Sequence, residues 1–126
     1  MSAPVSNRQA AVEFLRLVVS GDVREAFRRY AGRGFRHHNP FFQGDASSLM
    51  TAMEEDEARH PGKIFDVKRS LQDGDLVAVH SHLRMRPDDR GMAVVHIFRF
   101  EAGLIVECWD IVQVIPEDSP NTFGMF

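Results

Sequence analysis

Six of the 126 residues are histidine, and their placement says more than their number. His80 and His82 stand two apart in the apolar run Val77 to Leu83, and His96 stands in another, Val94 to Phe100. His37, His38 and Asn39 directly precede Pro40. Later, Asp110 is set among apolar neighbours in Cys108-Trp109-Asp110-Ile111, a setting in which a carboxylate is rare without a partner. Imidazole has an ordinary pKa near ~6.5, which makes it the usual carrier of protons at neutral pH. Apolar surroundings lower that pKa and keep the ring neutral and basic, while a carboxylate such as Asp110 pushes the other way and can orient one ring. Two or three such groups inside hydrophobic walls suit proton abstraction beside a carbonyl, or activation of water.

Each residue also has a plainer reading. A strand histidine is more often a hydrogen-bonded core or rim residue than a catalyst. His37 and His60, beside turn residues, read as exposed, and His80 as a structural residue at a pocket edge. Cys108 reads as a small buried filler, because a strand position lacks the electropositive helix terminus that activates a thiol. A metal centre built from His80, His82 and His96 is a further alternative, although an HxH pair is a weak signal and no HExxH helix motif occurs. Phosphate-binding glycine loops and the GxSxG elbow are likewise missing from the sequence.

The elements that must position these groups change character along the chain. Ser6 and Gln9 have capping-box spacing, so a helix is predicted to start at Asn7, with Val12, Leu15, Val18 and Val19 inward and Gly21 ending it. Asp22 with Glu25 repeats the device, and Val23, Ala26, Phe27 and Tyr30 follow at helical spacing until Gly32 and Gly34. A short extended piece, Phe35 to His38, leads to Pro40, and a third helix is predicted from Ala46 to about Arg59, before Pro61-Gly62. From Ile64 the period becomes two, giving four strands at roughly 64–72, 75–86, 92–101 and 104–115. Helices first and strands afterwards make a segregated α+β domain rather than an alternating one.

Turn chemistry sets the expected register. Asp73-Gly74 suits a two-residue type I′ turn, and Glu101-Ala102-Gly103 a three-residue loop with a bulge at Gly103. On that basis His80, His82, His96, Cys108 and Asp110 share one face, with His96 opposite Cys108 and Val94 opposite Asp110. Phe35, Phe41, Phe98 and Phe100 are the candidate apolar walls, and His38 and Asn39 join the candidate binding residues. The opposite face, with Val77, Val79, Leu83, Val95, Ile97, Trp109 and Ile111, is also apolar. Since the helices cover one face only, a homodimer packed sheet to sheet is expected.

Composition limits the alternatives. At 126 residues with 44% apolar and 26% charged, the chain is sized for one globular domain with its own core. A net charge of −3 gives no field suited to nucleic acid or anionic lipid. A lone cysteine excludes an internal disulfide, and no apolar run approaches the ~20 residues that span a bilayer. Glu13 and Arg16 interrupt the N-terminal apolar positions, so no signal peptide is read and a cytoplasmic location is expected.

The segments His38-Asn39-Pro40, VAVHSHL at 77–83, VVHIFRFEAGLIVECWDIVQVIP at 94–116 and the final NTFGMF resemble the SnoaL-like polyketide cyclases, within the nuclear transport factor 2-like superfamily. The resemblance implies three helices against a strongly curved antiparallel sheet, a cone with an internal pocket, and dimerisation through the sheet. It also implies acid–base catalysis by an aspartate and a histidine without metal or cofactor. In that comparison His96 stands at the usual aspartate, His82 at the histidine, and Cys108 where a histidine is common. The expected activity is therefore a cofactor-independent aldol-type cyclisation, isomerisation or hydration of a small hydrophobic carbonyl compound. His82, His96 and Asp110 would be catalytic, and His38, Asn39, Phe35, Phe41, His80, Phe98 and Cys108 would bind substrate. The alternatives are a non-catalytic small-ligand-binding module of the same fold and the histidine-ligated metal enzyme. The superfamily's fold is shared by many chemistries, so the site must decide.

Overall fold

Ser6 opens the first helix, α1 (Asn7–Val19), as a reciprocal cap: its Oγ accepts the Gln9 N–H at 3.1 Å and Gln9 Oε1 accepts the Ser6 N–H at 3.0 Å. The computed structural model describes residues 5–126. Of the expected inward stripe only Leu15 is buried; Ala10, Ala11 and Phe14 complete the buried face, with Val12, Val18 and Val19 half-buried. The second helix, α2 (Val23–Tyr30), buries Val23, Ala26, Phe27 and Tyr30 as their spacing requires. Its expected cap does not form: Asp22 makes no side-chain cap bond and instead accepts from Ser20 Oγ at 3.3 Å, while Glu25 pairs with Arg28 at 2.7 Å. Helix α3 (Ala46–Arg59) starts on Asp45, whose carboxylate accepts the Ser48 N–H at 2.8 Å.

Five strands form one sheet in the order β1-β5-β4-β3-β2, where β1 is Ala31–His37, β2 Ile64–Asp73, β3 Leu76–Arg84, β4 Met92–Glu101 and β5 Leu104–Val114. The α+β class and the three helices are as expected, but the sheet has a fifth strand and is not wholly antiparallel. Residues 31–37, of which Phe35 to His37 belong to the expected extended piece and the rest to the expected helix end, pair in parallel with β5. A Cβ on Gly32 would lie 3.2 Å from both Leu104 Cβ and Val106 Cγ1, so glycine lets the two backbones approach. Parallel pairing across some seventy residues of chain leaves no local turn signal to read.

Both hairpins differ from expectation by one residue. Asp73 pairs with Leu76, so the loop is Gly74-Asp75 with φ +59° at Gly74. Glu101 pairs with Leu104, and Ala102 (φ +50°) and Gly103 (φ +80°) form a two-residue turn with the paired positive φ of type I′. A bulge past Arg99 then restores even-to-even pairing, two residues out of the expected register: His96 faces Asp110, and Phe98 faces Cys108.

The larger correction concerns β3. Val79 pairs with His96 and His80 with Val95, so His80 and His82 lie on the face opposite His96. The polar loop between β3 and β4 leaves that parity open. Burial closes it: Val77 and Val79, fully buried, sit under the helices, a position the two imidazoles could take only at a desolvation cost. The core is tied by edge-to-face rings, Phe14 on Phe27 at 5.1 Å and on Phe98 at 5.7 Å, and Phe27 on Phe35 at 5.2 Å.

The β3–β4 loop ends on Gly91 at φ +76°, where a Cβ would lie 2.1 Å from the Leu83 carbonyl oxygen and 2.8 Å from Arg84 Cγ. Gly91→Ala is accordingly expected to lower stability by about 2–3 kcal/mol, measured by urea unfolding. A loss within the noise of a surface substitution would show that the turn accommodates a side chain.

Candidate active site

Between helices α1 and α3 and the helix-covered face of the sheet lies a cavity of about 280 Å³. Phe14, Leu15, Leu49, Met53, Phe65 and Phe98 supply apolar wall, and His37, Asn39, His96, Cys108 and Asp110 gather at its polar end. Lys63, also in the lining and nearly buried, is held by Asp56 at 3.0 Å and Glu57 at 2.9 Å. Burial works against the ammonium there, but the two carboxylates keep its pKa above the usual lysine value.

His96 occupies the middle of β4 because even positions of that strand face the helices. Its ring stacks on Phe98 at 5.9 Å and meets the edge of Phe65 at 6.4 Å. Burial pushes its pKa down to about 4, with Asp110 across the strand pair pulling weakly the other way, so the ring is neutral at pH 7. Its Nδ1 is sealed from solvent with no hydrogen-bond partner among the described residues. Since the ring lines the cavity, Nε2 is the atom it offers to a ligand.

Asp110 is oriented by a short chain of hydrogen bonds. Asn39 Nδ2 donates to Asp110 Oδ2 at 2.9 Å, while Asn39 Oδ1 accepts the Phe41 N–H at 3.0 Å, which sets the amide's orientation. The Asn39 N–H in turn donates to His37 Nδ1 at 3.1 Å, and His37 Nε2 donates to the Gln43 carbonyl at 2.6 Å. His37 is thus a buried residue of the cavity wall, which corrects the expectation that it is exposed. The sequence signal was present in Phe35 and His37, two apart and therefore on one strand face. Cys108 is buried beside them, and burial, with Asp110 nearby, raises its thiol pKa well above the usual value, so it is inert at neutral pH.

Of the expected site residues, His96, Asp110, Asn39, Phe35, Phe98 and Cys108 meet at this cavity. His82, His80, His38 and Phe41 do not. His82 Nε2 donates to the Arg90 carbonyl at 2.6 Å, and its ring lies 4.7 Å from Phe126 on the outer face. His80 bonds the Arg69 guanidinium and packs 5.4 Å from the same phenyl ring. Burial and then Arg69 lower its pKa. The three imidazoles considered as metal ligands are therefore split between two faces, and among the described residues no group of three or more His, Cys, Asp or Glu is arranged to hold a metal ion. Phe41 is 84% exposed. Leu49 and Met53, expected only as inward positions of the third helix, also line the cavity; no local pattern reveals how that helix approaches the sheet.

His38 turns outward too, stacked on Trp109 with ring centres 5.0 Å apart and bonded to Glu107 Oε2 at 2.6 Å. Arg36 and Arg99 converge on the same carboxylate at 3.1 and 3.0 Å. Hydrogen bonds from His38 and Arg36 hold Glu107 down to about 2. A depressed carboxylate stabilises the fold above its unfolded pKa and loses that contribution as pH falls towards 2. Glu107→Gln should therefore lower the melting temperature at pH 7 more than Glu25→Gln or Glu54→Gln, whose partners are exposed ion pairs, and narrow that gap at pH 3. Equal shifts for all three would contradict the cluster's importance.

Comparison with known proteins follows the same lines. The sequence profile of the SnoaL-like domain matches residues 11–108. No curated protein matches the chain. Among solved structures, an NTF2-like protein of unknown function from Cytophaga hutchinsonii superposes with a TM-score of 0.70 at 16% identity, over 90% of this chain and 95% of the other. A candidate polyketide cyclase from Acidithiobacillus ferrooxidans gives 0.69 at 18% identity, over 90% and 92%. A candidate ketosteroid isomerase from Kribbella flavida gives 0.70 at 21% identity, over 91% and 83%. These likenesses share the fold; with the profile match over most of its length, the chain belongs to the SnoaL-like domain family.

Proposed function

We propose that the protein is a cofactor-independent acid–base enzyme acting on a small hydrophobic carbonyl compound, by aldol-type cyclisation, isomerisation or hydration. One observation carries the reading: a neutral imidazole, His96, and an oriented carboxylate, Asp110, face each other across one strand pair at the polar end of an apolar cavity. A ligand whose carbonyl reaches this end meets one group able to take a proton and another able to hold developing charge on oxygen. Asn39 keeps Asp110 Oδ2 engaged, leaving Oδ1 for the ligand. Names such as polyketide cyclase and ketosteroid isomerase among the structural neighbours agree with carbonyl chemistry. His82 has no part in this proposal, since its face excludes it.

A panel of cyclic and linear ketones with acidic α-protons, assayed for α-proton exchange with deuterated water, tests the activity. Exchange catalysed by the wild type and lost in Asp110→Asn supports it. Tight binding of the same ketones with no exchange by either protein would favour the ligand-binding module instead.

We further propose a second copy of this chain on the outer face of the sheet, where Ile97, Trp109 and Ile111 lie together and Ile111 is 60% exposed. Light scattering should then give a dimer that Ile111→Glu converts to monomer; a wild-type monomer at high concentration would refute it. The cytoplasm is the compartment proposed, in keeping with the buried free thiol of Cys108.

A further inference from the structure

A hydroxyl is sealed inside the apolar layer beside His96. Ser81 is fully buried, and its Oγ has no hydrogen-bond partner among the described residues. His96 Nδ1 is in the same condition. Both side chains are on the helix-covered face of adjacent strands: Val79 pairs with His96 and Ser81 with Val94, so Ser81 and His96 are diagonal neighbours, a separation that a change of the Ser81 side-chain rotamer or one enclosed water spans. Across its two neighbouring strands Ser81 meets only Val67 and Val94, which offer it no partner; His96 lies between Val79 and Asp110, and the Asp110 carboxylate, engaged by Asn39, makes no bond to the buried Nδ1. Leaving two polar atoms unpaired in such a layer costs free energy that a bond between them removes.

We propose that Ser81 is a positioning residue whose hydroxyl donates to His96 Nδ1 and thereby fixes the imidazole as its Nε2–H tautomer. The direction of the bond follows from counting donors. If Nδ1–H donated to Ser81, the serine O–H would still be an unpaired donor among valines. With the serine O–H donating, no proton is left without an acceptor in the sealed layer, and Nε2–H points into the cavity.

This rests on the acid–base reading above and divides its roles. His96 presents a hydrogen-bond donor, so Asp110 Oδ1 is the group that takes the proton. In the enolisation step Oδ1 removes the α-proton; the C–H electron pair becomes the double bond between the α-carbon and the carbonyl carbon. The carbonyl π pair moves onto oxygen, where Nε2–H donates to it. The proton held by Asp110 then returns to carbon or to the new oxygen, restoring the carboxylate.

The test is the ¹⁵N spectrum of the His96 ring at pH 7, in the wild type and in Ser81→Thr and Ser81→Val, a pair of nearly equal volume that differ by a hydroxyl. Wild type and Ser81→Thr should show a protonated Nε2 and an unprotonated Nδ1. Ser81→Val should show a mixture of tautomers, with kcat for α-proton exchange lower by about tenfold and KM little changed. Ser81→Ala serves the same purpose should the valine fail to fold. A protonated Nδ1 in the wild type, or ring shifts identical in all variants, overturns the proposal. The spectrum reads the tautomer without turnover, so an inactive protein with the expected tautomer would refute the enzymatic reading alone.

Discussion

Replacing His96 with glutamine should cut catalysed α-proton exchange by about 10²–10³-fold, the range for losing a hydrogen-bond donor placed at a developing oxyanion. Glutamine keeps a side chain of similar reach but lacks the aromatic plane that stacks on Phe98, so its amide is not held where the ring places Nε2–H. The same variant should change how stability responds to acid. In the fold the imidazole is held at about 4 against an ordinary 6.5. Between those values the unfolded chain binds a proton that the native state refuses. Stability linked to this group is therefore complete above 6.5 and falls as pH drops towards 4, by about 3 kcal/mol in all. Urea unfolding at intervals from pH 7.5 to 4 should show the wild type losing stability faster than His96→Gln by that amount. Parallel curves would mean that the ring is hydrated and that the cavity does not enclose it.

Phe98→Ala should be the most damaging single change to the fold, lowering stability by about 3–5 kcal/mol, as for other phenylalanines removed from a sealed core. The ring is fully buried, packs edge-on against Phe14 and lies flat against His96, so its loss both opens a void and frees the imidazole. Phe41→Ala is the control: that ring is 84% exposed and its removal should change stability by less than about 0.5 kcal/mol. Equilibrium unfolding of the two variants decides the point, and a Phe98→Ala loss under about 1 kcal/mol would place the core elsewhere.

What could be read in the amino-acid sequence was governed by how local each signal is. The Ser6–Gln9 box, the stripe from Val23 to Tyr30 and the even-to-even pairing of His96 with β5 all depend on residues close in the chain or joined by a short turn. The face taken by His80 and His82 is not legible because a long polar loop separates them from His96, and with period-two strands a single residue of slippage reverses every side chain. In β2 an actual bulge between Val67 and Arg69 adds such a slip. The polar end of the site was half legible: Asp110 and Asn39 were identifiable as chemistry-bearing residues, but the bond between them depends on β1 lying beside β5, which no turn encodes. Ser81 is hidden for a different reason. A serine between two histidines on a strand reads as a spacer until its face is known.

The placement of β5 has a consequence for synthesis on the ribosome. This last strand is hydrogen-bonded on one side to β4 and on the other to β1, so the two parts of the sheet are joined only when residues 104–114 have left the exit tunnel. Until then Phe27 and Phe35 emerge without their sheet, and contacts spanning most of the described residues must wait for that strand. Nascent chains stalled before β5 should be open to protease and captured by holdase chaperones, and should become resistant within a short interval once that strand is released.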